Sequence, residues 1–330
     1  MKELILKQID VFSTSPFCGN PALVATGAEG LSPEEMQRVA AEMNILESTY
    51  VTRPQVSDAD FRVNFFTPSH EYDFSGHAMI ATCFALVEEG IISLCGGVTT
   101  KSFETNAGVI PVDFHFEEGD DCYDSGGPDS VPLNSAGIPG ALRKIMIHRT
   151  IDSFGPAAVT VSEIVSTLGI PEDEILATGL PVEIVLNGFH QLIIPVQSSA
   201  TLVSMCPDLI KLKLLNLRLG VLTTDVFTTD ALNEDCICYS RHFSPAMGMW
   251  EDLGSGAGGS SIAAYMLRNG VITAQAAVME QGPEASKLSR VHIDVRDTNG
   301  EAIAVQVGGL AVTSMTRSAT IHGNDEIVVA

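Results

Sequence analysis

Positive charge is scarce in this sequence. Its 330 residues carry 18 Lys and Arg against 41 Asp and Glu, a formal net charge of −23. Such a chain repels phosphate backbones and anionic membrane surfaces, so neither nucleic acid nor membrane is an expected partner. Long apolar runs are also missing, and none approaches the roughly 18–20 residues of a membrane span. The opening Met1-Lys2-Glu3-Leu4-Ile5 lacks the apolar core of a signal peptide. Cysteines stand at positions 18, 83, 95, 122, 206, 236 and 238, with no CxxC pair and no His/Cys spacing typical of zinc. A reducing, cytoplasmic compartment and the absence of a metal site are therefore expected. What the sequence does have is apolar content: 45% hydrophobic against 18% charged, enough for large cores and too much for disorder.

An internal repeat organises the chain. Phe66-Thr67-Pro68 leads through Asp73 to Ser75-Gly76-His77 and an apolar helix over Ala78 to Glu89. Phe243-Ser244-Pro245 leads through Asp252 to Ser255-Gly256 and a second helix of small residues. Both helices stop at a glycine the same distance on, Gly90 and Gly270. Helices of Ala, Gly, Ser, Thr and Ile can sit inside a curled sheet. Each then aims unpaired N–H groups and the positive end of its dipole at one place, where carboxylates and developing enolates bind well. Two half-molecules are expected, with function between Gly76-His77 and Ser255-Gly256.

Local patterns place other elements. Residues 4–12 alternate as a strand, as do Ala22 to Ala25 and Phe61 to Phe66, while Ile45 to Val51 reads as extended. Ser32-Pro33-Glu34-Glu35 starts a helix that Asn44 ends. Val98 to Phe116 alternates as further strands, and the acidic, Gly- and Pro-containing stretch 117–140 reads as a linker. Later come a helix Val161 to Leu168 behind Thr160, one helix within Ala200 to Leu215, and strands at Ile145–His148, Val182–Leu186, Leu192–Val196, Gly220–Thr224 and Cys236–Phe243. Strands Val278–Met279, Ser289–Val295 and Ala302–Val307 close the series. One hydrophobic helix per strand-rich half is not the alternation of a doubly wound sheet. The expected domains are 1–120 and 142–330, joined by a linker 121–141, with the last residues returning to the first domain.

Six ordered pieces then resemble a known family. They are Asp10-Val11-Phe12, Gly19-Asn20-Pro21, Met36 to Asn44 followed by Glu47-Ser48, Phe66 to His77, Arg241 to Asp252, and Glu280-Gln281-Gly282 with Val305 to Val312. Together they resemble the PhzF-like phenazine-biosynthesis family, of the diaminopimelate epimerase fold. The resemblance implies an α+β molecule of two pseudo-symmetric domains, each a β-barrel around a central α-helix. It also implies a cofactor-independent isomerase or epimerase acting on a small carboxylate-bearing metabolite, and a homodimer. By position, Glu47 matches the acid/base glutamate, His77 the histidine of the first helix, and Asp252 the aspartate of the second motif. Asn20, Ser48, Gly76, Ser255, Gly256 and Ala257 fall at substrate-binding places. Leu253 and Ala257 depart from the family's Pro and Ser. Related epimerases that work with two thiolates have Cys where this chain has His77 and Ala257.

The residues allow blander readings as well. Glu47 lies among Ile45, Leu46, Tyr50 and Val51, which suits a partly desolvated acid/base carboxyl, but a strand carboxylate facing solvent is the alternative. His77 in a first helical turn can face a substrate carboxylate, or be structural. Asp252 can orient a substrate amine or hydroxyl, or simply cap a helix. Asn20, Glu71, Gly76 and Arg241 are expected to shape the crevice, with Arg241 alternatively a rim salt bridge. The glycines over 254–259 lack the Lys of a P-loop and the acidic residue of a dinucleotide fold, so no cofactor box is expected. Amino-acid racemisation, cyclisation and non-catalytic carboxylate binding stay open as alternatives.

Overall fold

Two helices of small side chains fix the layout, because each is the crossover between parallel strands. The computed structural model describes residues 2–93, 97–117, 142–151, 153–297, 303–322 and 327–329. The expected linker 121–141, with Cys95 and Cys122, lies outside the described residues. The chain begins β1 (Lys2–Val11), β2 (Asn20–Ala25), α1 (Pro33–Met43), β3 (Ser48–Thr52), β4 (Phe61–Phe66), β5 (Glu71–Tyr72) and α2 (Gly76–Glu88). It continues β6 (Val98–Thr105), β7 (Gly108–Phe116), β8 (Leu142–Ile151), β9 (Ser153–Pro156), α3 (Val161–Leu168) and α4 (Asp173–Leu176). Next are β10 (Glu183–Leu186), β11 (His190–Pro195), α5 (Ser199–Ser204), α6 (Leu209–Leu219), β12 (Thr223–Thr228), β13 (Tyr239–Ser244) and β14 (Met249–Asp252). The last elements are α7 (Gly256–Arg268), β15 (Gln275–Gln281), β16 (Ser289–Asp297), β17 (Ile303–Gly309), β18 (Ala311–Ile321) and β19 (Ile327–Val329). No helix among the described residues is long and apolar enough to cross a membrane.

The chain divides into two compact units, Met1–Ile147 with Gly308–Ala330, and His148–Val307. In the first unit β18 runs antiparallel to β1 over its whole length, so the C-terminal segment is part of this sheet. From β1 the sheet passes to β2, then to β3 in parallel through α1, then to β4. β4 pairs in parallel with β6, and α2 is the crossover between them. Ser32 caps α1 in a full capping box with Glu35, and Asn44 ends it in the left-handed conformation. Helix α2 is buried from His77 to Val87 and packs on β1, β2, β3 and β18. A helix apolar on every side belongs inside a core. Burying side chains such as Ile80, Phe84 and Leu86 contributes about 1.5–3 kcal/mol each. At the return to this unit, a Cβ on Gly308 would collide with the Ile145 carbonyl oxygen, so only glycine fits.

The second unit repeats the plan. β10 and β11 are antiparallel, β11 and β12 parallel, β12 and β13 antiparallel, and β13 and β15 parallel with α7 between them. The repeat extends to single hydrogen bonds. Ser75 accepts from Ala78 N, and Ser255 from Gly258 N. At the other end Gly90 N donates to Val87 O and Ile91 N to Leu86 O, while Gly270 N donates to Leu267 O and Val271 N to Met266 O.

Several sequence expectations change here. The one helix expected within 200–215 is two, α5 and α6, because Pro207 cannot continue the first and Asp208 caps the second through Lys211 N at 3.0 Å. The strand expected from Gly220 starts at Thr223, since Gly220 is the left-handed cap of α6. The strand expected from Cys236 starts at Tyr239. Beyond the last expected strand, Ala302–Val307, the structure adds β18, paired with β1 along its length, and β19.

Candidate active site

In the first unit the start of α2 gathers three side chains. Asn44 turns the chain out of α1, and the Glu47 carbonyl accepts Leu23 N at 2.9 Å, which fixes residue 47 at the mouth of β3. The Ser75 hydroxyl donates to Glu47 Oε2. The same carboxylate oxygen lies 3.2 Å from His77 Nδ1, and Ser75 Oγ lies 3.4 Å from that nitrogen. The Glu47 side chain keeps 14% of its surface exposed and that of His77 5%. The carboxyl therefore does not face open water. His77 Nε2 is buried and has no hydrogen-bond partner among the described residues. Such an atom costs free energy unless a ligand group completes it. Gly76 is the first residue of α2, Asn20 opens β2 and is buried, and Ser48 is fully buried at the start of β3.

In the second unit Asp252 ends β14 with 6% exposure, and it is not the cap of α7. Ser255 is the cap, its hydroxyl accepting Gly258 N at 3.1 Å while its own N–H donates to Gln281 Oε1 at 2.7 Å. Gly256 opens α7 in a buried position. Ala257 stands where α2 has His77, and its carbonyl accepts Ser260 Oγ at 3.0 Å and Asn187 Nδ2 at 3.3 Å. The glycines that follow are there for packing. A Cβ on Gly258 would lie 2.7 Å from His242 Nδ1 and closer still to Asp225 Oδ1, and one on Gly259 would lie 2.9 Å from Val291. Packing thus accounts for Gly258 and Gly259.

Arg241 takes its structural reading. Its guanidinium forks onto Glu251 at 2.7 and 2.8 Å and caps the end of α5 through the carbonyls of Leu202 at 3.0 Å and Met205 at 2.6 Å. Burial works against its charge, but Glu251 holds it on. Glu71 is exposed and accepts from Asn106 at 3.1 Å.

Sequence reasoning missed four residues: Ser75, Gln281, Asp225 and His242. The last two form a buried pair with Nδ1 and Oδ1 2.7 Å apart. Burial pushes the His242 imidazole down, but the hydrogen bond and charge of Asp225, with the charges of Asp252 and Glu251, outweigh it and hold the ring above the ordinary histidine value. Ser75 had a visible signal in the Ser-Gly helix start it shares with Ser255, and Gln281 stands in the family pattern, but Asp225 and His242 had none. No group of three or more His, Cys, Asp or Glu among the described residues could hold a metal ion.

A sheet around a central helix, built twice, with Glu47, Ser75 and His77 gathered at the start of one helix, is the epimerase type of α+β fold. The chain belongs to the PhzC-PhzF family of phenazine biosynthesis-like proteins, whose model matches residues 9–317. It is 30% identical over 323 residues to antisense-enhancing sequence 1 of Schizosaccharomyces pombe, covering 96% of this chain and 98% of the other. It is also 30% identical over 311 residues to trans-2,3-dihydro-3-hydroxyanthranilate isomerase of Pseudomonas aeruginosa, covering 91% and 94%. The crystal structure of a Bacillus anthracis phenazine biosynthesis protein of the PhzF family superposes with a TM-score of 0.81 at 25% identity, covering 97% of this chain and 100% of that one.

Proposed function

We propose that the chain is a cofactor-independent isomerase in which Glu47 moves a proton between carbons of a small carboxylate-bearing metabolite. The observation that carries this reading is the Glu47 carboxylate held at the start of α2 by the Ser75 hydroxyl and beside His77 Nδ1. Glu47 takes a proton from a carbon acidified by neighbouring unsaturation. The electron pair of the broken C–H bond enters the conjugated system, and the proton returns to another carbon from the same carboxyl. No other reagent is consumed. His77 Nε2, buried and unpartnered, is the donor or acceptor left for a substrate oxygen. The N–H groups of the α2 start favour the negative charge that develops. Asn20, Ser48 and Gly76 complete the proposed binding set of the first unit, and in the second Asp252 is the group proposed to orient a substrate amine or hydroxyl, with Ser255, Gly256 and Ala257 beside it.

The name of the Pseudomonas relative supplies the first substrate to try. Trans-2,3-dihydro-3-hydroxyanthranilate carries the carboxylate, amine, hydroxyl and ring unsaturation this chemistry needs. The test is proton NMR in deuterium oxide with that compound and a panel of small unsaturated and α-amino carboxylates. Deuterium uptake at carbon with the wild type, and none with Glu47→Gln at unchanged circular dichroism, is expected; undiminished turnover by the variant would refute the role of Glu47. Leu253, 40% exposed, and Ala257 motivate the second reading, a carboxylate-binding homologue without turnover. Binding across the panel with no exchange at all would favour it.

A further inference from the structure

Three neighbouring strands of the second unit bring three ionisable side chains into one row. Asp225 on β12 is the register partner of His242 on β13, and His242 is the register partner of Asp252 on β14. Side chains directly opposite in antiparallel strands share a face with their Cβ atoms about 4.5–5.5 Å apart. Asp225 is fully buried, His242 is 3% exposed and Asp252 6%. Asp225 Oδ1 holds His242 Nδ1 at 2.7 Å. The first turn of α7 is pressed onto that pair, which is why residue 258 has no side chain.

The repeat provides an internal control. In the first unit the same row, one place before the Phe of the Phe-Thr-Pro turn, is Thr49, Phe65 and Tyr72. There the helix residue matching Gly258 is Ala78, and Thr49 serves only Thr82 Oγ1 at 2.8 Å and the Leu23 carbonyl at 3.3 Å. This sheet-and-helix arrangement therefore stands without charge in the row. Two buried carboxylates and an imidazole cost desolvation that an uncharged row avoids, and a row kept at such cost serves something other than packing.

We propose that His242, locked by Asp225, is the positioning residue of Asp252. As an imidazolium between two carboxylates it keeps Asp252 ionised and fixed beside the start of α7, ready to receive a cationic or hydroxyl-bearing part of the substrate. This rests on the role given to Asp252 above. The charged groups that face His242 are Asp225 from β12 and Glu251 and Asp252 from β14. Glu251 is already neutralised by Arg241 of β13, the first turn of α7 contributes none, and Glu280 of β15 is turned to Leu232 and Asn233.

The test reads Asp252 directly. Its side-chain carboxyl carbon is followed by carbon-13 NMR as a function of pH, assigned by its loss in Asp252→Asn. The comparison is between wild type and the double variant Asp225→Asn with His242→Gln, which keeps a neutral hydrogen-bonded pair and leaves Asp252 as the one carboxylate of the row. With the cation gone the Asp252 midpoint is expected to rise by about one unit or more. Turnover of trans-2,3-dihydro-3-hydroxyanthranilate is expected to fall about tenfold or more, because Asp252 is no longer held in place. Asp225→Asn alone, which keeps the ring, is the fallback if the double variant does not fold, with a smaller shift in the same direction. An unchanged midpoint overturns the proposal. A wild type inert toward the compound counts against the substrate reading alone, since the carbon-13 titration still decides the role of His242.

Discussion

One hydroxyl, on Ser75, does two things at the start of α2. Its lone pair accepts Ala78 N at 3.4 Å and caps the helix, and its hydrogen goes to Glu47 Oε2. The two duties can be separated by substitution. At an N-cap, glycine in place of serine costs only a few tenths of a kcal/mol, whereas alanine costs about 1 kcal/mol. Ser75→Gly should therefore melt within a few degrees of wild type and still lose turnover about tenfold or more, because the carboxylate is no longer held toward the acid/base position. Ser75→Ala should lose both. Thermal melts paired with initial rates separate the two effects, and a Ser75→Gly enzyme at full rate would remove the hydroxyl from the chemistry.

At the scale of the element, the two central helices show what a crossover demands. Both are capped by Ser, both begin with Gly, and both end through the same pair of backbone bonds, yet their first turns differ. The first carries His77 and Ala78, the second Ala257 and Gly258. Gly258→Ala should destabilise the protein by about 1–3 kcal/mol, the usual cost of overpacking, because Asp225 and His242 hold each other and cannot step aside. Denaturant melts check this, with Gly76→Ala as the comparison, since a Cβ on Gly76 meets nothing within 4 Å. Two helix starts were legible in the sequence because a cap is local, Ser32 with Glu35 and Thr160 before Val161, whereas the caps of the central helices are Ser75 and Ser255 and not the Asp252 that the sequence offered. Glu47 and His77 could be named as a pair only through the family pattern, since their meeting depends on β3 and the α2 start arriving at one place. Asp225 and His242 gave no signal at all. Seventeen positions apart on neighbouring strands, they become partners only through the register of β12 and β13, which no local pattern records.

For the whole molecule, the repeat also reveals a device the two units share. In the first unit Glu104 of β6, 7% exposed, accepts the successive N–H groups of Gln55 and Val56 and pairs with Arg62. In the second, Glu280 of β15, fully buried, accepts those of Leu232 and Asn233. Each carboxylate thus clamps the loop between two antiparallel strands of its unit, β3 and β4 in the first and β12 and β13 in the second. Burial pushes the Glu104 carboxyl up, but the two N–H groups and Arg62 favour the charged form more strongly and hold it below the ordinary glutamate value of 4.5. A carboxyl whose value is lowered by folding stabilises the fold above its unfolded value, and the stabilisation is lost as the pH falls through the folded value. Acid should therefore loosen this clamp below about pH 4.5 and not above it. Glu104→Gln, whose side chain does not titrate, should melt several degrees below wild type at pH 7, and the gap should narrow as the pH is lowered through that window. Melting temperatures taken every half unit from pH 7 to pH 3 decide the matter, because two curves that stay parallel would mean that the charge of Glu104 contributes nothing to holding the loop.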